Sequence, residues 1–300
     1  MAKKTSIALG VLSLLLLGLT LGVFWSLRAN QIEWQTDYEE ALDLARAREQ
    51  HLITYLYTDW CTYCKQMDRE TFSQESVIEA VGDRYVWVKL NAETNEQGVL
   101  LNKKFAVTSY PTLLIMDSAG EEIDRIDGFV PPDKFAETIE YYIQNPESFG
   151  RLRQRAEEDS QSADSQSAEL QFRLAAEYLQ RQNFTDAEAT LSRIIEFDPE
   201  NNQGFTDAGY YYRAFCLLSQ DRPDHALADL QILETRFSQS KLMGDAALLK
   251  GEIYYSSGDR SEARKVLAAF VAKYPGHHYI DEANKLLAEL GSKPPLAASH

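Results

Sequence analysis

The 300-residue sequence predicts an α/β domain followed by an all-α array of paired helices, both behind an N-terminal apolar segment. Three observations predict this. Between residues 34 and 145, short β-branched or aromatic runs alternate with stretches of helical period. Beyond residue 168 strand signals stop and small residues recur at a fixed spacing. A tract of Asp, Ser, Gln and Ala over 159–168, too polar to bury a core, separates the two regions. The domain plan is a signal segment at 1–30, the α/β domain at 31–147, a linker at 148–167, the repeat domain at 168–292 and a tail at 293–300, with residues 146–158 reading as a frayed, charged helix.

The N-terminal segment has no charge between Lys4 and Arg28 and contains the run Val11-Leu12-Ser13-Leu14-Leu15-Leu16-Leu17. A helix over residues 5–27 would reach ~34 Å, enough to cross the hydrocarbon core of a membrane. Lys3 and Lys4 keep its start cytoplasmic, so the body is exported. An uncleaved anchor in the inner membrane is the expectation, and a cleaved signal peptide leaving a soluble periplasmic protein is the alternative. Either places the body where disulfides persist.

In the α/β region, Asp37–Glu49 has a helical face of Tyr38, Ala41, Leu42, Leu44 and Ala45. Leu52–Tyr57 reads as a buried strand, Cys61–Phe72 and Glu75–Val81 as helices, and Tyr85–Leu90 as a second strand. Asn95–Phe105 is helical, Thr112–Met116 and Glu122–Gly128 form a hairpin about Ser118-Ala119-Gly120, and Pro132–Ile143 is the last helix. Such an order predicts a mixed sheet covered on both faces.

In the repeat region Ala175, Ala214 and Gly251 precede Ala187, Ala226 and Ala263 by a constant step, and Pro199, Ser238 and Pro275 follow by the same step. Small residues let paired helices approach closely, and proline stops the second helix. This pattern over 168–276 resembles three tetratricopeptide repeats, capped by a helix at Tyr279–Leu290; Ser238 departs from the family's proline. Such repeats imply a groove that binds a protein or peptide segment.

The balance of 30 Lys+Arg against 46 Asp+Glu, net −16, repels phosphate backbones and argues against nucleic-acid binding. Three cysteines are too few for a disulfide scaffold. Two of them stand as Trp60-Cys61-Thr62-Tyr63-Cys64-Lys65. A structural zinc site needs four ligands, and Cys216 and the five histidines are scattered, so no metal is expected. His277-His278 reads as a solvated loop and Cys216 as an inert buried thiol. Thiol–disulfide exchange fits better. The pair follows a strand and opens a helix, where unpaired N–H groups stabilise a Cys61 thiolate and Cys64 lies one turn on.

Asp59-Trp60-Cys61-Thr62-Tyr63-Cys64-Lys65 with Glu70-Thr71-Phe72, and Ser109-Tyr110-Pro111-Thr112 before a strand, resemble the thioredoxin-fold oxidoreductases, above all the C-terminal periplasmic domain of the thiol-disulfide interchange reductases. The resemblance spans about 34–145. With the repeats it implies an α/β thioredoxin fold followed by an all-α tetratricopeptide-repeat solenoid. It implies a thiol:disulfide oxidoreductase with Cys61 and Cys64 as a redox-active disulfide and no other cofactor. It also implies a cis Tyr110–Pro111 bond facing the cysteines, and Trp60 as a shield over them. Thioredoxins carry a buried Asp six residues before the first cysteine; here that residue is Tyr55. Lys89 matches the lysine that normally neighbours this Asp, so Lys89, Asp59 or water takes the Cys64 proton. Tyr63 stands where strong oxidants have His, which favours a reductase or isomerase over an oxidase. The implied partners are cysteine-containing client proteins, an external redox partner and a protein bound by the repeats. The alternative is an envelope binding scaffold whose α/β domain senses redox state or is structural.

Overall fold

The computed structural model describes residues 31–159 and 165–291, in two compact units that divide after Arg151. The N-terminal apolar segment and the tail from residue 293 lie outside the described residues. Among the described residues no helix is long and apolar enough to cross a membrane.

The first unit is a five-stranded sheet in the order β1-β3-β2-β4-β5. Its strands are β1 (Trp34–Gln35), β2 (Leu52–Tyr57), β3 (Val86–Asn91), β4 (Thr112–Met116) and β5 (Glu122–Asp127). β3 is parallel to β1 and β2; β4 is antiparallel to β2 and β5. Around the sheet lie α1 (Tyr38–Arg48), α2 (Thr62–Gln66), α3 (Glu75–Val81), α4 (Glu96–Lys104) and α5 (Pro132–Gln144). The two-residue period of the strands sorts two cores. Ile53, Tyr55, Trp87, Leu113 and Ile115 face Phe72, Phe135 and the cysteines. Leu52, Leu56, Val88, Leu90 and Leu114 face Leu42, Leu101 and Phe105.

Local chemistry sets the helix ends. Asp37 caps α1 by accepting the Glu40 N–H at 3.0 Å, and Asn95 caps α4 by accepting the Gly98 N–H at 2.9 Å. At Gly98 a Cβ would lie 2.3 Å from the Asn91 carbonyl oxygen, so glycine lets α4 close on the end of β3.

Three details differ from the sequence expectation. β1 is too short to give a periodic signal; its pairing with β3 makes it a strand. The helix expected over 61–72 is α2 followed by a π-turn at Met67–Thr71, with the Phe72 N–H on the Met67 carbonyl at 3.0 Å. The charged helix read over 146–158 is α6 (Phe149–Glu158), but it is not frayed, and the expected linker over 148–167 also holds the first turn of α7 (Ser165–Gln180). Phe149, Leu152 and Ala156, at helical spacing, are buried and form an apolar stripe that the charged neighbours hide in the sequence.

The second unit continues with α8 (Phe184–Phe197), α9 (Thr206–Ser219), α10 (Pro223–Arg236), α11 (Met243–Ser256), α12 (Arg260–Lys273) and α13 (Ile280–Gly291). Ala175, Ala187, Ala214, Ala226 and Ala263 are buried between helices. Pro199, Ser238 and Pro275 each directly follow the C-cap residue of α8, α10 and α12, which are Asp198, Phe237 and Tyr274. At Gly251 a Cβ would lie 2.5 Å from Leu267 Cδ2 and 2.8 Å from its Cγ. Gly251→Val is therefore expected to cost about 1–3 kcal/mol through overpacking. A thermal melt followed by far-UV circular dichroism checks this; an unchanged helical transition would show that the α11–α12 contact is slack.

Candidate active site: a disulfide at the end of a strand

β2 carries the chain to Tyr57, and Thr58 to Trp60 turn it into α2. Cys61 is the N-cap of α2, and its Sγ accepts the Cys64 N–H at 3.0 Å. Cys61 and Cys64 are joined as a disulfide with Cα atoms 5.3 Å apart. Both are buried, at 3% and 1% exposure. When the bond is reduced, the same N–H and the helix end are positioned to stabilise negative charge on Cys61.

Exposed aromatic residues flank this buried bond. Trp60 is 65% exposed and Tyr63 60% exposed, and Thr62 also faces water. Trp60 is thus no core residue. Its indole N–H donates to both Glu93 carboxylate oxygens at 3.0 and 3.1 Å, and its ring meets Tyr110 edge-on at 6.0 Å. The Tyr110 hydroxyl donates to Asn102 Oδ1 at 2.7 Å. The Tyr110–Pro111 bond is cis and Pro111 is buried. Glu93 and Asn102 were not legible as site residues: each acts through a fold-dependent contact.

Behind the disulfide the chemistry departs from the family pattern. Tyr55 is fully buried and its hydroxyl donates to the Cys64 carbonyl at 3.2 Å. Burial, then the Asp68 charge and Tyr57, push its phenol well above the usual tyrosine range. Tyr55 is therefore a permanent donor and cannot serve as a base. Lys89 donates to both Asp68 oxygens at 2.7 and 2.8 Å, and its Nζ lies 5.1 Å from the Tyr55 ring centre and 4.9 Å from that of Tyr57. Of the sequence candidates for proton transfer, Lys89 is committed to an ion pair and Asp59 is exposed. Asp68, the partner of Lys89, is not among the residues the sequence predicts for the site, and its charge bears on the Tyr55 phenol. Its spacing from Cys64, one helical turn on, was the available signal. Cys216 lies in the second unit, fully buried, with burial pushing its thiol up to about 12. It is an inert packing residue.

The family model of a thioredoxin-like domain matches residues 38–143, and that of a tetratricopeptide repeat matches residues 245–277. Among curated proteins, the thiol:disulfide interchange protein DsbD of Pseudoalteromonas atlantica is 31% identical over 103 residues, covering 33% of this chain and 17% of that protein. DsbD of Photorhabdus laumondii is 34% identical over 87 residues, covering 28% of this chain and 15% of that protein. The chain therefore spans less than a fifth of the length of these curated relatives. The oxidised C-terminal domain of Neisseria meningitidis DsbD is 28% identical, with 37% of this chain and 98% of that one covered, at a TM-score of 0.32. A thioredoxin from Thermus thermophilus is 26% identical, with 39% and 91% covered, at a TM-score of 0.35. The chain thus joins a thioredoxin-like domain to helices that include a tetratricopeptide repeat.

Proposed function

We propose that this chain is an exported thiol:disulfide oxidoreductase that works through the Cys61–Cys64 disulfide of its thioredoxin-like domain. The observation that carries the reading is the Cys61 sulfur at a helix start, receiving the Cys64 N–H. In the reducing direction the Cys61 thiolate attacks one sulfur of a client disulfide. A mixed disulfide forms and the client's other sulfur leaves as a thiolate. Cys64, deprotonated, then attacks Cys61 Sγ and expels the second client thiolate. The client gains two electrons and two protons, and Cys61–Cys64 is left oxidised. An external dithiol donor must reduce it again.

Tyr63 in place of a cationic residue supports a reductase or isomerase. The apolar, charge-free run over residues 5–27 supports anchoring in the inner membrane, with both units on the periplasmic side. The likeness of the second unit to protein-binding repeats supports client capture near Cys61, where tethering raises effective concentration. Trp60, Tyr63 and Tyr110 are aromatic groups flanking the disulfide and suited to an extended client segment. Trp60→Ala is expected to raise KM for a protein disulfide by ~10-fold or more while leaving the thermal transition in place, as for an exposed interface aromatic. A steady-state titration of substrate checks this; an unchanged KM would remove Trp60 from the client surface. Redox equilibration of the protein with glutathione tests direction, and a potential near that of strong oxidants would reverse it.

A further inference from the structure

In the second unit, the loop after α12 and the first turn of α11 bring together three side chains that lie apart in the sequence. His277 Nε2 is 3.5 Å and His278 Nε2 is 3.7 Å from Asp245 Oδ1. One donor atom from each residue lies within 4.8 Å of the others. Two ligands held at ~2.0–2.2 Å on a tetrahedral ion are themselves roughly 3.3–3.6 Å apart. The observed separations match that spacing better than the shorter distance of a charge-assisted hydrogen bond.

The cluster is held in place. His277 is 12% exposed and Asp245 19%, whereas His278 is 64% exposed at the water side. Phe270 meets the His277 ring edge-on at 5.1 Å, and His278 stacks on it at 4.4 Å. At Gly244 a Cβ would lie 2.8 Å from His277 Cδ2 and 3.0 Å from its Nε2. A glycine beside Asp245 is what lets the imidazole sit against the carboxylate. Asp245 also lines a cavity of about 380 Å³ with Tyr211, Glu252, Tyr279 and Glu282.

We propose that Asp245, His277 and His278 form a binding site for a divalent transition ion of the Zn²⁺ class. Two imidazoles and one carboxylate suit such ions and disfavour Mg²⁺ and Ca²⁺, which prefer all-oxygen shells. Three protein ligands leave a coordination position for water or for a donor group of a bound protein. The Tyr279 N–H donates to His277 Nδ1 at 3.3 Å, which places the ring proton on Nε2. An ion bound at Nε2 moves that proton to Nδ1 and ends the Tyr279 contact.

The test is calorimetric titration of the oxidised, tag-free full chain with Zn²⁺, and separately with Ca²⁺ and Mg²⁺. The disulfide removes Cys61 and Cys64 as competing ligands. One Zn²⁺ should bind, and Asp245→Asn and His278→Ala should each weaken binding by ~100-fold or more. Zn²⁺ should also raise the melting temperature of the wild type and not of the variants. His278 is exposed, so its truncation removes surface ring contacts and empties no core site, and it decides the matter if Asp245→Asn melts early. Equal Zn²⁺ affinity in wild type and His278→Ala overturns the site; so does an absence of Zn²⁺ binding. Ca²⁺ or Mg²⁺ binding as tight as Zn²⁺ overturns the assigned class.

Discussion

Cys61→Ser is expected to abolish catalysis of disulfide exchange, leaving only the rate that the reductant achieves alone. Cys64→Ala should instead accumulate covalent adducts with its clients. The asymmetry follows from the helix start. Cys61 Sγ accepts the Cys64 N–H and caps α2, so charge on that sulfur is stabilised by backbone donors. Cys64 sits a turn further in, nearly sealed, with its carbonyl bound by Tyr55. Without Cys61 nothing attacks; without Cys64 the attack succeeds and the mixed disulfide has no intramolecular nucleophile to release it. Dithiothreitol-driven reduction of a disulfide-bonded protein measures the first variant. Non-reducing electrophoresis of the second, with mass spectrometry of the adducts, measures the other and names the clients. Full activity in Cys61→Ser would reverse the assignment of attacking and resolving sulfurs or end the enzymatic reading.

Phe135→Ala is expected to destabilise the first unit by about 3–5 kcal/mol, the usual cost of emptying a buried aromatic site. Phe135 is fully buried on α5. Its ring packs edge-on to Phe72 at 5.4 Å and nearly parallel to Trp87 at 6.2 Å. It belongs to the same apolar cluster as Cys61, Cys64 and Met67. A cavity there removes support from the residues that hold the disulfide. The readout is selective, because Trp25, Trp34, Trp60 and Trp87, the chain's four tryptophans, all precede residue 151. Urea titration followed by tryptophan fluorescence reports the first unit, and the variant keeps every reporter. A midpoint shift worth less than ~1 kcal/mol would mean that the aromatic cluster collapses to fill the space.

Much of this architecture was legible because its signals are local. LITYLY and TLLIM are strands on short, apolar, β-favouring composition alone. Asp37 and Asn95 announce helix starts through side chains that can accept an N–H. Ala187, Ala226 and Ala263 mark helix crossings, where small residues let paired helices approach and each is fully buried. The Cys-x-x-Cys pair after a strand carries its chemistry in its spacing. By contrast, β1 is two residues long and exists only as a partner for β3. The π-turn at Met67–Thr71 leaves no mark in composition, and α6 hides its stripe among arginines and glutamates.

The chain's order of residues alone therefore determined the two-part architecture and the position of the sulfur pair, since both rest on periodicity and on spacing within a single turn. Tertiary packing alone decided that Asp68 pairs with Lys89 beneath Tyr55, that Glu93 holds Trp60, and that Asp245 meets His277 and His278. Each of these joins segments that lie 21 or more residues apart. Charge and hydrogen-bond partners at such separations depend on which faces the core brings together, and no local pattern encodes that choice.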